Sequence, residues 1–168
     1  MNKFLIGLLA AALLAGPNPA ARAAQLPPGP GPAPAALAAK PPVPPKAVKG
    51  DAVVATAKKY LGVPYKYGGT SPKGFDCSGY VLFVFSQHGK QLPRTADKQY
   101  ETGTSVPAKN LKPGDLVFFT TTEKGASHCG IFVGSGKFIH ASSTHGVMIS
   151  ALGDFYWKPR YLGARRVL

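Results

Sequence analysis

The sequence predicts an α+β domain over residues 51–168, with helices packed on an antiparallel sheet. Three observations carry this. Helical spacing of apolar residues is confined to the first part of that stretch. Alternating or continuously apolar five- to seven-residue runs follow it. Two of those runs are joined by a glycine-punctuated hairpin.

Each element has a local cause. Asp51 to Leu61 places Ala52, Val53, Val54, Ala57, Tyr60 and Leu61 at helical spacing, with Asp51 as the expected N-cap and Gly62 as the stop. Val63 to Gly74 is rich in Gly, Pro and Tyr and reads as a loop. Cys77 to Gln87 is almost wholly apolar, so its helix is expected to be central and buried, ending at Gly89. Thr95 can cap a short helix over Asp97–Tyr100. Pro113-Gly114 turns the chain into a strand, Asp115–Phe119. Ser127–Val133 and Lys137–Ala141 read as strands around a hairpin at Gly134 and Gly136. Val147–Ala151 and Tyr161–Val167 complete the set.

The chemistry centres on Cys77. It stands in Phe75-Asp76-Cys77-Ser78-Gly79, at the expected start of the apolar helix. A helix N-terminus carries partial positive charge and free N–H groups, which favour thiolate over thiol. Its own backbone N–H is a ready donor to a developing oxyanion. His128 and His140 lie on the two hairpin strands. A pivot near Gly134 would set them roughly opposite each other, with His128 as base and His140 orienting it. Tyr65 can add a hydroxyl from the preceding loop. Asp76 either caps the helix or recognises an ammonium group. A cysteine at a helix start with two later histidines is the layout of a thiol hydrolase. Two competing readings exist. Cys77, His128 and His140 could ligate zinc, although no fourth ligand is evident. Cys77 and Cys129 could form a disulfide. Strand alternation instead turns Cys129 away from Cys77, into the core, if His128 faces the thiol. His88 is expected at the surface near the helix end, and His145 in a loop.

The N-terminus bounds the setting. Lys3, the apolar run Phe4–Ala15 and Ala21-Arg22-Ala23 form a secretory signal over residues 1–23. The run is too short to span a membrane, so no stable insertion is expected. No cysteine stands near the cleavage site, so nothing there can be acylated. Residues 24–50 hold nine prolines between Pro27 and Pro45 and read as an extended linker. Without Lys3 and Arg22 the chain keeps 18 basic against 7 acidic residues, a net +11. In an exported protein this charge suits an anionic wall polymer. The basic residues are scattered without a nucleic-acid motif, so nucleic acid is not an expected partner. A periplasmic or secreted monomer without cofactor or metal is expected.

The residues also resemble the NlpC family of bacterial cell-wall cysteine peptidases. The likeness runs through Gly62-Val63-Pro64-Tyr65, Gly68-Gly69-Thr70-Ser71, Gly74-Phe75-Asp76-Cys77-Ser78-Gly79, Leu92-Pro93-Arg94-Thr95, Pro113 to Phe119, Ser127-His128 with Gly130-Ile131, and Phe138-Ile139-His140-Ala141. It implies a papain-like fold, a Cys77-His128-His140 triad, and Tyr65, Asp76 and Ser78 in the substrate cleft. It implies hydrolysis of amide bonds in peptidoglycan stem peptides, either γ-D-Glu–diaminopimelate or the D-Ala–diaminopimelate cross-link. The ending, Gly146-Val147 through Tyr156-Trp157 to Arg165-Arg166-Val167-Leu168, resembles the Spr-type members that cut the cross-link. Three departures stand out: the missing lipid-accepting cysteine, Cys129 at a commonly aliphatic position, and Lys66-Tyr67 where a Trp is frequent. An acyltransferase or other thiol hydrolase on the same fold is the alternative reading, and a silent wall-binding module the third.

Overall fold

The computed structural model describes residues 49–168. The signal peptide and linker expected over 1–23 and 24–50 fall outside the described residues, save the last two linker positions. Helix α1 spans Gly50–Lys58 and buries Val53, Val54 and Ala57. Asp51 sits in its first turn rather than at the cap, which is Lys49, and the helix ends before Lys59. There the carboxylate complements the helix dipole instead of accepting a capping bond. Gly62 lies beyond the helix and donates its N–H to Val147 O at 2.9 Å.

Helix α2, Cys77–Ser86, is apolar on every side and therefore central. It buries Tyr80, Val81, Val84 and Phe85. The Tyr80 hydroxyl reaches α1, donating to Ala57 O at 2.8 Å. His88, expected at the surface, is half-buried and bonds Thr56 Oγ1 at 2.9 Å, tying the end of α2 to α1. Ahead of α2, the Gly-rich loop forms two short strands that the sequence reads as coil, β1 (Thr70–Ser71) and β2 (Gly74–Phe75). Helix α3, Ala96–Tyr100, follows α2.

The main sheet holds β3 (Thr104–Ser105), β4 (Leu116–Phe119), β5 (His128–Gly134), β6 (Lys137–Ser142), β7 (Gly146–Ala151) and β8 (Tyr161–Arg166). Its order is β3-β8-β4-β5-β6-β7, antiparallel throughout. This is the predicted α+β class. Both faces are covered, which explains why β4 is apolar at every position. Leu116, Phe118, Cys129, Ile131, Ile139 and Ala141 pack with the α1 and α2 side chains. Val117, Phe119, Phe132 and Phe138 form a second cluster on the opposite face, with Trp157 and Tyr161 against it.

The hairpin register differs from the expectation by two residues. Ile131 pairs Ile139 and Phe132 pairs Phe138, so His140 stands across from Gly130, not His128. A slip of two keeps every side chain on its face. The histidines are therefore diagonal rather than opposite. They lie on the Phe119–Phe138 face, whereas α2 packs on the other. The expectation that α2 lies over the histidine face is wrong.

Candidate active site

The site is assembled where α2 begins. Asp76 is the N-cap, its Oδ1 accepting from Gly79 N at 2.7 Å. The cap reading of Asp76 is thus realised. The same carboxylate forms an ion pair with Arg94, whose Nη1 also donates to Ser78 Oγ at 3.0 Å. Asp76 and Ser78 are 8% and 6% exposed, so this network is built into the floor of the site. Gly79 lets the helix approach the loop: a Cβ there would lie 2.1 Å from Gly69 O. Cys77 is the first residue of α2, so its N–H is outside the intrahelical ladder.

The Cys77 thiol is pulled down to about 4. The leading cause is a hydrogen bond with the Cys129 thiol. His128 adds a hydrogen bond and a favourable charge, while burial and the Asp76 carboxylate oppose. Cys129 itself is fully buried and its thiol is pushed well up, chiefly by burial, so it keeps its proton. Its Sγ also lies 3.6 Å from Gln99 Oε1. The expectation that Cys129 faces away from Cys77 is overturned. Cys129 does point into the helix-side core, but α2 packs on that same side. His128, the first residue of β5, reaches the sulfur from the other face at the strand end. The two cysteines are free.

His128 Nε2 lies 2.9 Å from His140 Nδ1. That leaves Nδ1 of His128 for the sulfur. Gly130 makes the diagonal contact possible: a Cβ there would sit 3.0 Å from His140 Cβ and 2.8 Å from the Phe138 ring. Trp157 stacks on His128 with centroids 5.1 Å apart at 27°, and its ring stands edge-on to His140 at 4.9 Å. His140 is 1% exposed, and burial together with the nearby His128 charge holds it at about 3, so it is neutral. Tyr65 is pushed up by burial first, then by the Cys77 and Asp76 charges, and remains a phenol.

These groups open into a cleft of about 1220 Å³ whose lining includes Tyr65, Tyr67, Asp76, Cys77, Arg94 and His128. Among the described residues no three His, Cys, Asp or Glu side chains are arranged to hold a metal ion. The structure brings together all six residues singled out from sequence: Cys77, His128, His140, Tyr65, Asp76 and Ser78. Sequence reasoning missed the roles of Arg94, Gln99, Gly130 and Trp157. Arg94 carried a usable signal, being the only charge in Leu92-Pro93-Arg94-Thr95.

The γ-DL-glutamyl hydrolase of Bacillus subtilis (strain 168) is 51% identical over 117 residues, covering 68% of this chain and 28% of that protein. The murein DD-endopeptidase MepS/murein LD-carboxypeptidase of Escherichia coli (strain K12) is 49% identical over 110 residues, covering 65% of this chain and 58% of the relative. This chain thus spans less than two thirds of either relative. The crystal structure of an NlpC/P60 family protein from Bacillus cereus ATCC 10987 superposes with a TM-score of 0.68 at 36% identity, over 72% of this chain and 41% of that one. The NlpC/P60 family model matches residues 62–166, a stretch that contains Cys77, His128 and His140 together with the whole cleft floor, and the chain belongs to that family.

Proposed function

We propose that this chain is an exported cysteine endopeptidase that hydrolyses amide bonds in peptidoglycan. The observation that carries the reading is the Cys77 thiol at the first residue of α2, in one cleft with His128, whose ring favours the thiolate and lies 2.9 Å from a second imidazole. In this mechanism the Cys77 thiolate attacks the amide carbonyl and a C–S bond forms. The oxyanion is met by the Cys77 N–H. Protonated His128 gives its Nδ1 proton to the departing amine, and the C–N bond breaks. Water then attacks the thioester with His128 as base, releasing the carboxylate and restoring the thiolate–imidazolium pair. His140 accepts from His128 Nε2 throughout and fixes the ring. Tyr65, Asp76 and Ser78 line the cleft beside the scissile bond.

The proposed bond is the D-Ala–diaminopimelate cross-link, on the strength of the MepS-like ending at 146–168 and the 49% identity to a murein DD-endopeptidase. A γ-glutamyl bond is the second reading, favoured by the 51% identity to a γ-DL-glutamyl hydrolase. The likeness to cell-wall hydrolases and the signal-like residues 1–23 support action outside the cytoplasm. No described helix is long and apolar enough to cross a membrane. The test is digestion of purified sacculi with mass spectrometry of the released muropeptides. Wild type should release shortened products and Cys77→Ala none. Equal clearance by Cys77→Ala would end the thiol mechanism, and the product masses assign the bond.

A further inference from the structure

The polar line that begins at Cys77 does not stop at His140. His140 Nε2 lies 3.0 Å from Ser150 Oγ. The sheet register places that contact. Phe138 pairs Ser150 and His140 pairs Met148, so Ser150 shares the histidine face and is diagonal to His140. His128 is diagonal to His140 from the opposite side, because His140 stands across from Gly130. Three residues on three adjacent strands thus form one oblique row: His128 on β5, His140 on β6 and Ser150 on β7. The hydroxyl bonds no other group among the described residues.

We infer that Ser150 is a positioning residue that holds His140 in the Nε2–H tautomer, leaving its Nδ1 as the acceptor for His128. The inference rests on the thiol-hydrolase reading, since only that reading gives His128 a proton to hold. The logic is a count of hydrogens. A neutral imidazole carries one N–H, on Nδ1 or on Nε2. His140 is neutral at working pH, being buried and beside a second imidazole. His128 as proton donor toward Cys77 carries a hydrogen on both nitrogens, so its Nε2 must donate to His140. His140 Nδ1 must then be bare, and its hydrogen sits on Nε2. At 3.0 Å that N–H needs an acceptor, and the Ser150 oxygen supplies one. With the other tautomer, His140 would donate to His128 and force the hydrogen of neutral His128 onto Nδ1. That ring could not take up a proton at Nδ1. Its surroundings are otherwise aromatic: Phe138 is stacked 4.8 Å away and Trp157 is edge-on. Neither ring can accept an in-plane N–H as an oxygen does.

The test uses the full chain labelled with ¹⁵N-histidine, in wild type, Ser150→Ala and Ser150→Thr. Ring ¹⁵N shifts report the tautomer of His140 in resting enzyme, and muropeptide release reports kcat and KM. Wild type should show His140 protonated on Nε2. Ser150→Ala should mix or reverse that tautomer and lower kcat about tenfold with KM little changed. Ser150→Thr, which keeps the hydroxyl on a strand, should restore both readouts. Thermal melts check that the variants are folded. A wild-type His140 protonated on Nδ1 would overturn the assignment. So would a Ser150→Ala enzyme in which the tautomer or kcat stays at the wild-type value. Neither result touches the thiol reading, whose own failure appears as activity in Cys77→Ala while the His140 spectrum stands.

Discussion

Cys129 is the residue whose removal should say most about the nucleophile. Its thiol hydrogen is shared between Gln99 Oε1 and the Cys77 sulfur, and its bond to Cys77 is the leading cause that favours the ionised form. A hydrogen bond to a charged group contributes about 1.5–3 kcal/mol. One pKa unit corresponds to about 1.36 kcal/mol. Cys129→Val keeps a small apolar side chain in a fully buried position and deletes the donor. Cys77 should therefore titrate about 1–2 units higher, moving from about 4 to about 5–6. The remaining depression comes from His128 and keeps the group far below a free thiol.

The assay is the rate of iodoacetamide alkylation between pH 3 and pH 9, read by intact mass. The wild-type profile should be flat above pH 5 with its midpoint near 4. Cys129 stays silent because it is buried and protonated. The shape of the curve is decisive, not its height. A thiolate loses intrinsic nucleophilicity as its pKa falls, with a slope of about 0.4–0.5. Five units of depression therefore cost roughly 10² in reactivity and gain roughly 10² in thiolate at pH 7, which nearly cancel. At pH 5 the gain in thiolate is roughly 10⁴, and a net advantage of roughly 10² remains. An unchanged midpoint in Cys129→Val would refute the hydrogen-bond account. A wild-type midpoint near 9 would refute the thiolate itself.

Two further outcomes follow from the histidine row. Gly130→Ala would place a Cβ 2.7 Å from Ile139 O and 3.0 Å from His140 Cβ, so β6 must shift. Activity on sacculi should drop about 10–10²-fold, because misplacement by about 1 Å costs that much, and turnover at the wild-type rate would show that the diagonal contact tolerates a side chain. The second concerns acid stability. His140 is held at about 3 when folded against 6.5 as its ordinary value, so below pH 6.5 the unfolded chain takes up a proton that the folded one refuses. Stability is lost as pH falls from 6.5 toward 3, by up to about 5 kcal/mol from this ring. His140→Gln should flatten the drop in urea-unfolding free energy between pH 6.5 and 4, and equal slopes in the two proteins would remove His140 as its source.

Much of this was legible before any coordinates. The apolar run after Asp76-Cys77 forced a buried helix with the sulfur at its start, and the Gly134–Gly136 hairpin put both histidines on one face. The register was missed because the turn lies at Ser135–Gly136, where Gly134 pairs Lys137, and not at Gly134; the irregularity between Phe132 and Gly134 takes back one residue of that displacement and leaves a net shift of two. Alternation preserved the face and hid the error. The position of Cys129 was missed for a different reason. Consecutive strand residues do point to opposite faces, as expected. What sequence could not show is that α2 lies on the face opposite the histidines, so that its first residue meets the end of β5 from both sides. Gln99 was invisible as a site residue because its partner Cys129 is 30 positions away, whereas Arg94, 18 positions from Asp76, showed only as the lone charge of its segment.

In the proposed mechanism an imidazole takes the third position where many triads use a carboxylate, and the geometry suits it. A carboxylate is needed when the base must gain enough proton affinity to ionise an ordinary hydroxyl. Here the sulfur is already ionised by Cys129, His128 and its place at the helix start, so the base need only be oriented. The site of His140 is 1% exposed and walled by Phe138 and Trp157. An unpaired carboxylate there would carry a desolvation cost of several kcal/mol with no cation but His128 to offset it. It would also stabilise the His128 imidazolium and make its Nδ1 proton harder to pass to the departing amine. A neutral ring avoids both problems. The same aromatic walls that exclude the charge keep the His140 ring neutral.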